Sequence, residues 1–269
     1  MKISPALFAG VESTLLTERQ ARIVEIIRQK DFARVEDLAN HFEVTTQTIR
    51  RDLQRLCSQG IALRVHGGIK AIDTHGNVAY AWRQILHTEA KQFIAQEVAR
   101  HIPDGVSLAF SIGTTPEMVS RALLDHHHLR IFTNNLNIAM LSSANPTFEV
   151  TMAGGRLRNK DRDVLGAGME ALFSAYKVDI GIYGAAGVDL DGTLLDFYEE
   201  EVRARQMIHE NSRKCYLVLD VSKFGRPAHV RGGRIDETCI VFCDGNPPET
   251  ILEMMDRSGT RFILCNGES

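Results

Sequence analysis

Seven short apolar runs, each rich in β-branched or aromatic residues, recur between residues 106 and 265 of this chain: VSLAF, LRIFT, FEVTMAG, VDIGIYG, KCYLVLD, TCIVFC and RFILC. Helical patterns fall between several of them: PEMVSRALLD, LNIAMLSSA, LGAGMEALFSAY, EEEVRARQMIHEN and PETILEMMDR. Strands that are apolar throughout, rather than alternating, must be covered on both faces, and intervening helices supply the cover. The pattern therefore predicts an α/β domain with a largely parallel sheet. A helical pattern from Trp82 to His101 precedes the first run. In such sheets ligands sit outside the carboxyl ends of the strands, so those ends are where chemistry is sought.

Five of the ends carry small or polar residues. The first reads LAFSIGTTPEMV and supplies Gly113, Thr114 and Thr115, with Pro116 suited to the first helical position. A strand that hands its chain through glycine to a helix N-terminus is suited to a phosphate, because unpaired N–H groups converge there. No GKS or GKT follows, which excludes an ATP-binding P-loop. Thr133, Asn134 and Asn135 follow the second strand. Gly154 and Gly155 follow the third, with Arg156, Arg158 and Lys160 beyond, and DVSKFGR with Lys223 follows the fifth. After the fourth comes GAAGVDLDGTLLDF, whose DLDG reads on its own as a β-turn between strands.

Other features carry less chemistry. The three histidines 126–128 end a helical pattern, where cationic side chains offset the dipole. The five cysteines are odd in number and scattered, which suits reduced thiols in the cytoplasm. Cys239 and Cys243 would lie roughly 13 Å apart on a strand, too far to share a metal, and are read as buried small apolar residues. No metal or cofactor is expected. No apolar run is long enough to span a membrane, and residues 1–16 are read as a flexible extension.

The N-terminal part has a different character. Residues 17–70 hold ten Lys/Arg against seven Asp/Glu, so this segment is +3 in a chain of net charge −3. Such asymmetry hints at a nucleic-acid module on an acidic body. Residues 17–29 place Ile23, Ile26 and Ile27 on one helical face behind Thr17 as N-cap; VEDLANHF fits a second short helix. After a brief turn, Thr45 caps a third helix whose apolar stripe is Ile49, Leu53 and Leu56 and whose other face carries Gln47, Arg50, Arg51 and Gln54. This is a helix-turn-helix pattern. Arg50, Arg51, Gln47 and Gln54 are the candidates for base edges, with Thr45, Thr46 and Thr48 for phosphates. IALRVHGGI then predicts a two-stranded wing, with Arg64 and His66 at the DNA backbone. The domains expected are 17–70 for DNA, 71–81 as linker and 82–269 as sensor.

TTQTIRRDLQRL followed by RVHGG, and then IGTTPEMV, TNNLNIA, AGGRLR, DGTLLDF with EEEVRARQMI, and SKFGR, occur in this order across residues 17–265. In this order they resemble the DeoR family of bacterial transcription regulators. The resemblance implies a winged helix-turn-helix joined to a sensor domain like ribose-5-phosphate isomerase and the CoA transferases. It implies a homodimer or homotetramer that represses a carbohydrate or polyol operon and leaves double-stranded operator DNA when a phosphorylated sugar or polyol binds. The run IGTTPEMVSRALLDHHHLRIFTNNLNIA is most similar to members that respond to glycerol phosphate, so sn-glycerol-3-phosphate is the expected inducer. Carried over by residue, Gly113, Thr114 and Thr115 would hold the phosphate, and Thr133, Asn134, Asn135, Gly154, Gly155, Asp191, Glu201 and Lys223 would line the rest. Ser111 stands where relatives often carry an acidic residue, which removes a charge beside the pocket. The alternative reading is an aldose–ketose isomerase, with Glu201 or Asp191 as the base.

Overall fold

A computed structural model describes residues 16–30, 32–58, 61–65, 67–71 and 80–267. His66, residues 1–15 of the expected extension and residues 72–79 of the expected linker lie outside the described residues. The chain divides into two compact units, 1–86 and 87–269.

In the first unit, helix α1 (Glu18–Lys30) starts from a reciprocal cap: Thr17 Oγ1 accepts from Gln20 N–H at 3.3 Å while Gln20 Oε1 accepts from Thr17 N–H at 3.1 Å. Strand β1 (Phe32–Arg34), helix α2 (Val35–His41) and helix α3 (Thr46–Ser58) follow, then strands β2 (Ala62–Val65) and β3 (Gly68–Ala71) and a short helix α4 (Tyr80–Ile85). Ile23, Val24 and Ile27 of α1 meet Leu38 of α2 and Ile49, Leu53 and Leu56 of α3 in one core. The wing is an antiparallel sheet of order β1–β3–β2, one strand larger than expected. Three residues of β1 are too few to show an alternation. Gly68 is required there, because a Cβ would come within 2.3 Å of Ala33 O.

The helix expected over 82–101 is two helices. Helix α4 ends at Ile85, His87 is left-handed at φ +53°, and α5 runs Thr88–Arg100. The physical reason is divided burial. Leu86 packs on the core of the first unit, whereas Ile94, Ala95 and Val98 pack in the second.

The second unit is built on seven parallel strands in the order β15–β14–β12–β9–β4–β5–β6. In chain order these are β4 (Ser107–Phe110), β5 (Arg130–Thr133), β6 (Glu149–Met152), β9 (Val178–Tyr183), β12 (Ser212–Val218), β14 (Ile240–Cys243) and β15 (Arg261–Leu264). All seven sequence runs are strands. Period-two alternation sorts their side chains. Leu108, Phe110, Ile180, Ile182, Tyr216, Val218 and Phe242 face α5, α6 (Thr114–Ala122) and α7 (Leu136–Ser142). Ala109, Cys215, Leu217, Val241 and Cys243 face α8 (Ala167–Ala175), α9 (Glu199–Glu210) and α10 (Glu249–Ser258). Gly181 lets α9 close on this second face, since a Cβ would meet Ile208 at 2.7 Å.

Two small antiparallel elements decorate this frame: the hairpin β7 (Leu157–Arg158) and β8 (Asp163–Val164), and a sheet of β10 (Gly187–Val188), β11 (Thr193–Asp196) and β13 (Val230–Arg234). DLDG is the turn between β10 and β11, closed by Gly192 N–H on Asp189 O at 3.0 Å with Gly192 at φ +83°. Pro116 takes the third position of α6 rather than the first. Of the paired cysteines, Cys243 is buried but Cys239 is exposed. Cys239 lies one residue before β14, at the amino end of that strand, where its Sγ accepts from Cys215 N–H at 3.3 Å.

Candidate functional site

Helix α3 presents two opposed faces. Ile49, Leu53 and Leu56 are at most 4% exposed, whereas Thr46, Gln47, Arg50, Arg51 and Gln54 are exposed. Thr45 caps the helix through Oγ1, accepting Thr48 N–H at 3.2 Å, and Thr48 is half-buried. Arg64 is exposed on β2. The structure thus collects five polar side chains of α3 on one solvent face, with α3 held from behind. The hold includes a residue that sequence reasoning missed. Asp52 is buried and accepts from Arg19 Nε and Gln20 Nε2, each at 2.7 Å. Its signal was available: position 52 stands three after Ile49 and four before Leu56, inside the apolar stripe.

The second candidate lies at the carboxyl edge of the parallel sheet. Strands after β4 run to β5 and β6 on one side, while β9 is added on the other, so the order reverses between β4 and β9. A crevice at such a switch point is the expected ligand site. Gly113, at φ +126°, is the N-cap of α6 between them. Glu117 N–H makes the first helical bond, to Gly113 O at 3.1 Å, and Pro116 has no N–H. The amides of Thr114 and Thr115 therefore point out of the helix end. Gly184, just after β9, keeps the neighbouring wall low: a Cβ there would meet Val218 O at 3.3 Å and Pro116 at 3.9 Å.

Thr133, Asn134 and Asn135 are wholly buried at the next strand end. Thr133 Oγ1 donates to Phe110 O at 3.2 Å. Asn135 Oδ1 caps α7 through Asn137 N–H at 2.8 Å, and its Nδ2 donates to Glu117 Oε1 at 2.8 Å, tying α7 to α6. Asn134 Nδ2 donates to Val164 O at 3.0 Å, while its Oδ1 meets no donor among the described residues. Gly155, at φ +141°, lies against Val164 on the β7–β8 hairpin. Gly154 is exposed, and its carbonyl lies where a Cβ on Gly168 would fall.

Glu201 joins this group through an arginine. Arg158 donates to both oxygens of buried Asp163, at 2.9 and 2.8 Å, and to Glu201 Oε1 at 2.8 Å. Burial alone would lower the Arg158 pKa, but the bonds to Asp163 and Glu201 overcome it and raise the pKa above the ordinary value. Asp163 is bridged to Asn135. Arg158 is thus a neutralised strut from the hairpin to α9.

Lys223 lies five residues beyond the end of β12, in a single helical turn, Val221–Lys223. Its Nζ lies 3.7 Å from Asp220 Oδ2. Burial works to raise the Asp220 pKa, but Lys223, the Ser222 hydroxyl, His87 and Lys91 outweigh it and hold the carboxyl below its usual range. Asp191 is in the β10–β11 turn, exposed, accepting from Thr193 N–H at 2.8 Å and 3.5 Å from Arg231. Its partners belong to that small sheet and not to the strand-end group. Among the described residues, no group of three or more His, Cys, Asp or Glu could hold a metal ion, and no helix is long and apolar enough to cross a membrane.

Comparison with known proteins agrees with this division. Residues 19–75 match the DeoR-like helix-turn-helix domain and residues 86–245 the DeoR C terminal sensor domain. The chain is 41% identical to the glycerol-3-phosphate regulon repressor of Escherichia coli K12, over 93% of this chain and 99% of that one. It is also 41% identical to the Haemophilus influenzae repressor of the same name, over 93% and 97%, and 34% identical to the E. coli HTH-type transcriptional repressor CsqR, over 91% and 94%. Among solved structures it is similar to ribose-5-phosphate isomerase A of Methanocaldococcus jannaschii, with 16% identity and a TM-score of 0.39 over 51% and 55% of the two chains. The domain matches and the near full-length similarity to repressors place this chain in the DeoR family.

Proposed function

We propose that this protein is a cytoplasmic DNA-binding repressor of a carbohydrate or polyol operon, released from its operator by sn-glycerol-3-phosphate. The single observation that carries the reading is the exposed face of α3. Thr46, Gln47, Arg50, Arg51 and Gln54 stand clear of a core that fixes the helix from the other side. Arg and Gln present the donors that major-groove base edges accept. Residues 17–70 would read DNA, and residues 82–269 would sense the ligand. Thr114 and Thr115 would offer N–H groups to the phosphate, with Thr133, Asn134 and Asn135, Gly154 and Gly155 shaping the wall beside them. A homodimer or homotetramer would present α3 to paired half-sites. Release follows from linkage: a ligand that prefers the DNA-incompetent arrangement weakens operator affinity by the ratio of its affinities for the two arrangements.

The isomerase alternative is disfavoured by Glu201, whose Oε1 is engaged by Arg158. A general base needs an oxygen within reach of a substrate proton. A mobility shift on the promoter region beside the gene, with and without sn-glycerol-3-phosphate, tests the proposal. A complex dissolved by the ligand is expected; a complex indifferent to it removes this inducer, and no complex removes the repressor reading.

A further inference from the structure

Five cysteines are spread over the chain, and the fold brings two of them together. Cys57 belongs to the first unit. Cys243 and Cys265 lie in different cores, on opposite faces of the parallel sheet. Cys215 of β12 and Cys239, just ahead of β14, stand side by side, each one residue before the registered pair Tyr216 and Ile240. Cys239 N–H donates to Cys215 O at 3.0 Å, and Cys215 N–H donates to Cys239 Sγ at 3.3 Å. Neighbouring strands lie about 4.8 Å apart, inside the span of roughly 4.4–6.8 Å between Cα atoms that a disulfide bridges. Alternation puts Cys239 on the side of Val241 and Cys243, which is the side that Cys215 faces. The Cys239 sulfur already lies against the Cys215 backbone nitrogen, so rotation about the Cα–Cβ bonds is the movement that joins the two sulfurs.

The two thiols differ in access. Cys239 is exposed, whereas Cys215 is 4% exposed and its Sγ donates to His209 O at 3.6 Å. Burial, and then the neighbouring Cys239, push the Cys215 thiol up to about 11, against the Tyr183 hydroxyl and Lys177, which pull it down. Cys215 is thus held as a sheltered, protonated thiol, while a solute reaches Cys239 directly. We propose that Cys215 and Cys239 form a peroxide-sensitive modification site, in which Cys239 is oxidised first and Cys215 captures it as an intramolecular disulfide. In the first step the Cys239 thiolate attacks a peroxide oxygen. An S–O bond forms, the O–O bond breaks, and the leaving oxygen takes up the proton that the thiol gave, which leaves Cys239 as the sulfenic acid. In the second step the Cys215 sulfur attacks the Cys239 sulfur. The S–S bond forms, the S–O bond breaks, and hydroxide departs with the Cys215 thiol proton as water. The two sulfurs lose two electrons and the peroxide gains them. A thiol partner so close gives the sulfenic acid an exit before further oxidation makes it irreversible. The site is independent of the inducer and operator readings and stands if either fails.

The reduced full-length protein is treated with hydrogen peroxide, blocked with N-ethylmaleimide, run as a monomer on a non-reducing gel, digested with trypsin and analysed by mass spectrometry. The peptides 215–223 and 235–257 should appear joined, lighter than their sum by two hydrogens, and should separate on reduction. Peptide 235–257 also holds Cys243, so the joined pair should persist in Cys243→Ser and be lost in Cys239→Ser, where Cys215 should remain a free thiol. Cys239→Ser alters an exposed side chain and leaves a hydroxyl to accept the Cys215 N–H, so its fold is not at stake. A link that survives Cys239→Ser or is lost in Cys243→Ser overturns the proposal. So does a link found only between two chains, a sulfinic acid at Cys239 beside a free Cys215, or a chain that peroxide leaves unchanged.

Discussion

Asp52 Oδ1 accepts from Gln20 Nε2 at 2.7 Å, so the carboxylate on the hidden side of α3 is anchored to the first turn of α1. The same Gln20 closes the cap with Thr17. The exposed α3 face is therefore set by a buried polar bond as well as by apolar packing. Asp52→Ala strands the Gln20 amide and the Arg19 guanidinium. It should cost about 2–3 kcal/mol, from hydrogen bonds to a charged group and the donors left unmet. Urea unfolding followed by circular dichroism measures it; a variant as stable as the parent would show that the anchor contributes nothing.

Arg50 and Arg51 are exposed, so truncation should leave stability within about 0.5 kcal/mol. Operator affinity should nevertheless fall, by about 1–3 kcal/mol for each side chain that reads a base. Fluorescence anisotropy on labelled operator gives the affinities. Equal affinity in Arg50→Ala, Arg51→Ala and the parent would remove this face from the interface.

The salt dependence of the same binding provides a separate check. If six or more phosphates are neutralised, affinity should drop roughly a thousandfold or more between 50 and 200 mM salt. A flat response would contradict DNA contact through Arg50, Arg51 and Arg64.

At the sensor's strand ends, Gly113 combines φ +126° with a Cβ position 3.3 Å from Pro116. Gly113→Ala should cost about 1–3 kcal/mol through backbone strain and blunt the response to inducer. Thr114→Val, half-buried at the helix start, should fold normally, bind DNA, and resist release. Mobility shifts over an inducer series separate the two effects, and normal release in Thr114→Val would clear the loop of any role.

Acid sensitivity should trace partly to Asp179. The Ser107 hydroxyl and amide, at 2.6 and 2.9 Å, bond its carboxylate and hold its pKa below the usual range. A carboxyl lowered in the folded state adds stability that is complete above its unfolded pKa, about 3.9, and is lost as pH falls through the folded value. Asp179→Asn should therefore flatten the stability profile below about pH 4 and lower it at neutral pH. Chemical unfolding from pH 2 to 7 checks this; parallel profiles would exclude the pair.

Much of the frame was legible because it repeats. Each of the seven strands was marked by a run of apolar residues, and the apolar stripe Ile49, Leu53, Leu56 announced the orientation of α3. Elements of two or three residues, β1, β7, β8 and β10, had no room to show a period. His87 broke a convincing helical pattern because burial on either side of it serves different cores.

The candidate site divides in the same way. Residue types alone marked Gly113, Thr114 and Thr115 at a strand end, since local sequence specifies a turn into a helix. Sequence could not show that Asn135 spends its amide on a cap and on Glu117, or that Glu201 is joined to the strand ends through Arg158 and Asp163. Nor could it show that Arg205 is buried with two of its nitrogens, Nε and Nη1, meeting no acceptor among the described residues. By itself the sequence determined the seven strands of the parallel sheet, most of the longer helices and the solvent face of α3, because hydrophobic periodicity is a local property. Only the tertiary structure decided which charges neutralise one another and which buried donors are left over, because those pairings depend on where the fold brings side chains together, as it does Arg158 and Glu201, 43 positions apart.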